Sequence, residues 1–176
     1  MLDAAERVYY RDGDLGLTVR RLASEASTTS QTIYTYFGSR DAVIGGMYER
    51  ILADLDGLLD TIDVVARQAS SAAGSRPRAA VLPLAQVYRR HALAKPAQLR
   101  MLATARGPEG TDAAAIIDRR NRLIGIVEQS DLAGEGAVIV AAVNGFVEAE
   151  LNQLLATNGR SEVLFAELIA GLTADH

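Results

Sequence analysis

The stretch ASTTSQTIYTYFGSRDAV, Ala26 to Val43, places hydroxyl and aromatic side chains between apolar ones at helical spacing, with Arg40 and Asp41 as its only charged residues. Ser, Thr, Gln and Tyr in this density form no nucleophile and base pair. They are hydrogen-bonding groups on short stems, and short polar groups let a helix approach a wall of phosphate closely, where hydroxyls and free helix N–H groups can bond. The chemistry is recognition. Tyrosine adds an apolar body with a hydroxyl tip, so binding need not rest wholly on charge.

The rest of the composition points away from catalysis. The chain has no cysteine and two histidines, His91 and His176, which leaves no disulfide, no thiol chemistry and little material for a metal site. No Gly-rich phosphate loop appears. We therefore expect no enzyme activity, no metal and no cofactor. Lys95 is the only lysine among 18 basic residues, a bias toward arginine that fits a GC-rich bacterial genome. Net charge is −4 over 176 residues, which does not advertise a nucleic-acid binder. Between residues 18 and 40, however, Arg20, Arg21 and Arg40 face only Glu25, so positive charge gathers around the opening stretch.

Around that stretch, apolar residues recur at helical spacing nearly everywhere and never alternate as in a strand, so an all-α chain is expected. Leu2, Ala5, Val8 and Tyr9 share a face of a first helix that Gly13 can stop. Thr18 can cap a short helix through Ala26. After a tight connection at Ser27 to Thr29, Thr29 or Ser30 caps another ending near Phe37, and Gly38 breaks it. A long helix opens at Ser39-Arg40-Asp41 and is expected to reach about Val65. Arg67 to Arg78 reads as a loop from its Ser, Gly and Pro content. Further helices are expected at 77–94, 96–105, 112–131, 135–157 and 161–173, with loops at Arg106 to Asp112, Ala133-Gly134 and Asn158-Gly159. Lys95-Pro96 separates two of them, because the residue before proline is pushed out of the helical region.

Two short helices across a three-residue turn, the second rich in small hydrogen-bonding groups, make a helix-turn-helix, whose second helix enters the major groove. The segment LTVRRLASEASTTSQTIYTYFGSRDAVI, Leu17 to Ile44, resembles the DNA-binding domain of the tetracycline-repressor-like (TetR) family. Thr18, Leu22-Ala23, Ala26, Thr32-Ile33-Tyr34, Tyr36-Phe37, Ser39-Arg40 and Ala42 carry the match. The resemblance implies that Arg20 reaches a base edge and that Ser30, Gln31 and Thr32 face the groove. It further implies that Tyr34 and Tyr36 touch phosphate or thymine methyl groups, while Thr18, Thr29 and Arg40 bind backbone phosphate. Against this stand plainer roles: a core position for one of the two tyrosines and a solvated surface for Arg20, while Thr18 is a helix cap in either reading. The turn departs from the family, with Ser27-Thr28 where Gly-Val is usual. Close likeness covers roughly residues 2 to 50, and beyond them the likeness is architectural. Ala141 to Leu151 resembles a His-Gly-centred helix of one group of these regulators, with Asn144 in place of the histidine.

The expected organisation is a helix-turn-helix domain over 1–46, joined by the long helix to a larger helical ligand-sensing and dimerisation domain over 47–176. Tyr88, His91, Met101, Arg119, Asn121 and Asn144 are polar or adaptable groups on otherwise apolar faces and are the candidates for a small-molecule pocket. Any single one of them is more often surface or satisfied core, and His91 reads first as a structural residue. Ala137 to Ala142 is apolar all round, and Val140, Val147, Leu151, Leu154, Leu164 and Leu168 are the candidates for a homodimer interface built as an intermolecular four-helix bundle. The resemblance implies a double-stranded DNA operator, a second copy of the chain and a small-molecule effector as partners. The alternatives are a degenerate helical dimer without sequence-specific DNA binding, and an all-helical enzyme. The N-terminus lacks the apolar core of a secretory signal, and no stretch reaches the roughly 18 apolar residues of a membrane span, so a cytoplasmic protein without a membrane partner is expected.

Overall fold

A computed structural model describes residues 1–73, 77–104, 113–130, 132, 134–155 and 159–174. Among them are nine α-helices and no strand: α1 (Leu2–Gly16), α2 (Val19–Glu25), α3 (Ser30–Phe37), α4 (Arg40–Ala73), α5 (Val81–Ala94), α6 (Pro96–Thr104), α7 (Ala113–Glu128), α8 (Gly136–Leu151) and α9 (Ser161–Leu172), with a 3-10 turn over Pro77–Ala80. The chain divides into two compact units: residues 1–55 with 95–116, and residues 56–94 with 117–176.

In the first unit, Ala4, Ala5, Val8 and Tyr9 form the buried stripe of α1. Gly13, at φ 71°, kinks the helix where a stop was expected, and one more turn carries it to Gly16. Thr18 caps α2, its Oγ1 accepting from the Arg21 N–H at 3.3 Å, and Thr29 caps α3 by accepting from the Thr32 N–H at 3.1 Å. Gly38, at φ 78°, ends α3, and Ser39 caps α4 by accepting from the Ala42 N–H. Leu17, Leu22, Ile33, Val43, Met47 and Ile51 close the core that these helices share, and Met101 of α6 joins it, fully buried. The hydroxyl of Tyr48 donates to the Met101 carbonyl at 3.3 Å. Met101, expected in a ligand pocket, is thus a core residue of the first unit.

The second unit is built from the remainder of α4 with α5, most of α7, α8 and α9. Val81, Ala85, Val127, Leu132, Ile139, Val140, Val143, Phe165 and Ile169 form its core. The rings of Phe146 and Phe165 meet edge to face at 5.2 Å, and the Arg89 guanidinium lies 5.3 Å from the Phe165 centroid. Gly136 is required where α8 begins, since a Cβ there would lie 2.9 Å from the Ile124 carbonyl oxygen and 2.6 Å from Glu128 Cγ.

Two helix ends differ from expectation. Helix α4 continues to Ala73 instead of stopping near Val65: Arg67 pairs with Asp63 one turn back, and the Ser71 hydroxyl bonds the Arg67 carbonyl, so that hydroxyl is satisfied inside the helix. Residues 74–76 of that expected loop lie outside the described residues, as do the expected loop Arg106 to Asp112 and the loop residues Ala133 and Asn158. Helix α8 stops at Leu151 rather than 157, because the Leu154 N–H bonds the Ala149 carbonyl and Gln153 turns to φ 56°. That is a Schellman stop made with glutamine in place of the usual glycine.

Candidate functional site

The outer face of α3 presents Ser30, Gln31, Tyr34, Thr35 and Tyr36 to solvent, while Ile33 is fully buried beneath them. Tyr34 is 51% and Tyr36 73% exposed, so neither is a core residue. Three hydroxyls have structural duties: those of Thr29 and Thr32 lie 3.0 Å apart at the helix N-terminus, and that of Thr35 donates to the Gln31 carbonyl at 2.9 Å. Thr35 was missed in the sequence, although its position between Tyr34 and Tyr36 marks it. The turn before α3 has Ser27 at φ 51°, a left-handed conformation in which a side chain is strained.

The arginines around this face are mostly occupied. Glu25 accepts from Arg7 at 2.8 Å and from Arg11 at 3.2 Å, which holds its carboxyl below the ordinary glutamate range. Arg21 pairs with Asp12 at 3.4 Å, and Arg50 with Asp3. Arg40, expected at a phosphate, uses Nε on the Leu17 carbonyl at 2.7 Å and Nη2 on the Asp14 carbonyl and carboxylate, both at 2.6 Å, with Nη1 directed at Asp41 at 3.3 Å. Among the described residues, Arg20 is the one arginine of the first fifty residues with no ion pair or hydrogen bond. It is exposed on α2.

The second unit holds an apolar cavity lined by Val81, Leu84, Ala85, Tyr88, Leu123, Val127, Ile139, Val140 and Val143, with about 330 Å³ between its atoms, counting the part open to solvent. Of the six residues expected in a pocket, Tyr88 lines it, and Asn144 accepts the Tyr88 hydroxyl proton. Burial pushes the Tyr88 phenol up to about 12, with Glu148 adding to the effect. The others are not brought there: Arg119 pairs with Asp56 at 2.6 Å, Asn121 is exposed, and His91 is half-buried on α5 outside the lining. The aliphatic wall from α5 was overlooked, though Val81, Leu84, Ala85 and Tyr88 repeat at the spacing of one helix face. Also unanticipated is a largely buried network in which Glu150 accepts from Arg89 at 2.6 and 2.8 Å while bonded to the Ser161 hydroxyl.

Helix α8 divides its apolar surface. Val140 and Val147, expected at a dimer interface, are 7% and 0% exposed within the chain and belong to its own interior. The outward stripe is instead Ala137, Val138, Ala141 and Gly145, and Val163, Ala170 and Gly171 are outward on α9. Of the other expected interface residues, Leu154 is 76% exposed, while Leu151, Leu164 and Leu168 are half-buried. Among the described residues no helix is long and apolar enough to cross a membrane, and no cluster of side chains could hold a metal ion.

These features have counterparts in known proteins. Residues 1–46 match the family model described as bacterial regulatory proteins, tetR family. A TetR-like transcriptional regulator from Rhodococcus sp. RHA1 superposes with a TM-score of 0.70 at 16% identity, covering 99% of this chain and 94% of that one. The TetR family regulator PfmR from Thermus thermophilus gives 0.68 at 15% identity, covering 98% and 96%. The transcriptional regulator FadR from Bacillus subtilis, solved in complex with stearoyl-CoA, gives 0.66 at 13% identity, covering 99% and 97%. By sequence, no curated protein matches the chain. The capped helix pair, the family match over it and the likeness along nearly the whole chain agree: this chain has the N-terminal helix-turn-helix domain of the TetR family of bacterial regulatory proteins and the fold of that family's transcriptional regulators.

Proposed function

We propose that the chain is a ligand-responsive transcriptional repressor of the cytoplasm. It binds a pseudo-palindromic double-stranded DNA operator as a homodimer through residues 1–46, and a small molecule bound within residues 47–176 releases it. The observation that carries this reading is the outward face of α3, where hydroxyls, an amide and two exposed tyrosines stand on a helix whose N-terminus is capped by Thr29. Ser30, Gln31, Thr32, Tyr34 and Tyr36 read or line the groove, Arg20 supplies the guanidinium for a base edge, and Thr18 and Thr29 meet phosphate beside their caps. The remaining Nη1–H of Arg40 is available to a phosphate as well.

A short helix covers few base pairs, and two-fold symmetry doubles them. The exposed stripe of Ala137, Val138, Ala141 and Gly145 on α8 suits close helix packing with a second copy. The stearoyl-CoA complex of a protein with this fold supports a small-molecule role for the helical body. Footprinting on DNA upstream of the protein's own gene, with random competitor, tests the reading: two inverted half-sites are expected, and a monomer protecting one asymmetric site would refute it. Ala141→Arg should yield monomers that no longer protect both half-sites.

One observation favours a second reading. Of the six arginines in residues 1–50, all but Arg20 have carboxylate partners. A helical dimer without sequence-specific DNA binding would protect no specific sequence in the same footprinting assay.

A further inference from the structure

We propose that the cavity of the second unit selects a neutral alcohol of mainly hydrocarbon character and rejects carboxylates, acyl-CoA thioesters and ammonium compounds. This rests on the reading of that cavity as the effector site. Aliphatic groups such as Val81, Leu84, Leu123, Ile139 and Val143 make up its wall, and among the described residues Tyr88 supplies the one polar side chain of the lining. Among the described residues the lining holds no cation, and three arginines of the second unit are already paired: Arg89 with Glu150, Arg119 with Asp56, and Arg122 with Asp60 at 2.7 Å. A carboxylate entering the wall would lose its hydration and meet no counter-ion, a cost that excludes it in its charged form. The same hostility to negative charge is visible in Tyr88, whose phenol is pushed further up by burial, with Glu148 adding to the effect. An ammonium group fares no better, because Glu148 is exposed to solvent and is not among the lining residues.

The polar end of the ligand follows from one hydrogen bond. The Tyr88 hydroxyl donates its proton to Asn144 Oδ1, so its oxygen is left as an acceptor. A ligand hydroxyl can donate to it with that bond kept, whereas a ketone or ester would have to take the proton away from Asn144. Alcohols therefore bind in preference to carbonyl compounds of equal length.

The probes are 1-octanol, 2-octanone, octylamine and octanoate, offered to the full-length chain and read by thermal shift and calorimetry. At pH 7, 1-octanol should raise the melting temperature with concentration, and octanoate and octylamine should bind at least about tenfold more weakly. Octanoate should gain affinity by about tenfold per unit as pH falls from 7 toward 5, because only its neutral form enters, while 1-octanol stays flat. Tyr88→Phe should bring 1-octanol down to the affinity of 2-octanone without changing the fold, and Ala85→Phe should fill the cavity and abolish both. Octanoate or octylamine binding within about threefold of 1-octanol at pH 7, with that binding lost in Ala85→Phe, would overturn the neutral class while leaving the cavity as the site. No response to any probe, or an undiminished response in Ala85→Phe and Tyr88→Phe alike, would overturn the cavity reading itself.

Discussion

Arg40, the first residue of α4, donates its Nε–H to the carbonyl oxygen of Leu17, 23 residues earlier, at 2.7 Å. With Asp14 accepting from the same guanidinium, the start of α4 is laced to the junction between α1 and α2. Lysine cannot reproduce that fork. Arg40→Lys should therefore lower stability by about 1–3 kcal/mol, read by thermal unfolding, because carbonyls bonded to a charged donor lose it. An unchanged melting temperature would return Arg40 to a purely phosphate-binding role.

Ser27 occupies a turn position that glycine fills without strain. Removing the side chain relieves about 1–2 kcal/mol, and the greater freedom of glycine in the unfolded chain takes part of that back. Ser27→Gly should raise the urea midpoint with the slope unchanged. A lower midpoint would mean that the Ser27 side chain stabilises the turn.

Arg20 and Glu25 should give opposite phenotypes on DNA. Arg20→Ala should cost about 1–3 kcal/mol on the operator and relax preference at one base position. Glu25→Gln removes the charge that holds Arg7 and Arg11, so affinity for random DNA should rise and the salt dependence steepen by about one unit. Titrations at several salt concentrations separate the two. Equal loss on all sequences for Arg20→Ala would make it a backbone contact.

Two carboxylates shape the acid profile in opposite senses. Burial raises the Glu6 carboxyl above its ordinary value, with Arg50 Nε at 3.6 Å opposing the rise. The folded state thus holds that proton more tightly than the unfolded one, and Glu6 costs stability as pH climbs from its ordinary value through the raised one. Glu150 is lowered by its bonds from Arg89, with Ser161 adding to them, so its contribution is complete above the ordinary glutamate value and disappears as pH falls through the lowered one. Glu6→Gln should stabilise at pH 7 and converge with the parent near pH 4, whereas Glu150→Gln should destabilise at pH 7 and converge in acid. Melting curves across pH 3 to 7 will show whether the two converge with the parent from opposite sides.

Local chemistry was legible in the sequence where a residue type admits few roles. Thr18 and Thr29 before apolar runs declare caps, and Gly38 declares a stop. Placement across helices was not. Val140 and Val138 lie on opposite faces of α8, but a helix apolar all round has no periodicity from which to tell inside from outside. Arg40 and Arg20 look alike as exposed cations in a basic segment, and only the folded chain reveals that Leu17 and Asp14 occupy one of them. Met101 and Tyr88 are both large residues on amphipathic helices, yet they belong to different units. The end of α4 was hidden for another reason: serine weakens a helix by competing for backbone, and at Ser71 that competition was settled inside the helix by the bond to the Arg67 carbonyl.

The pairing of arginines with carboxylates in the first fifty residues has a kinetic side. Sliding along DNA depends on a protein lingering on any sequence through its cations, and here most of them are engaged at home. On the proposed reading, such a head should leave random DNA quickly, scan by short hops through solution rather than by long one-dimensional runs, and stay only where the hydroxyl and tyrosine face of α3 finds its match. Speed of search would thereby be exchanged for a sharper distinction between operator and background.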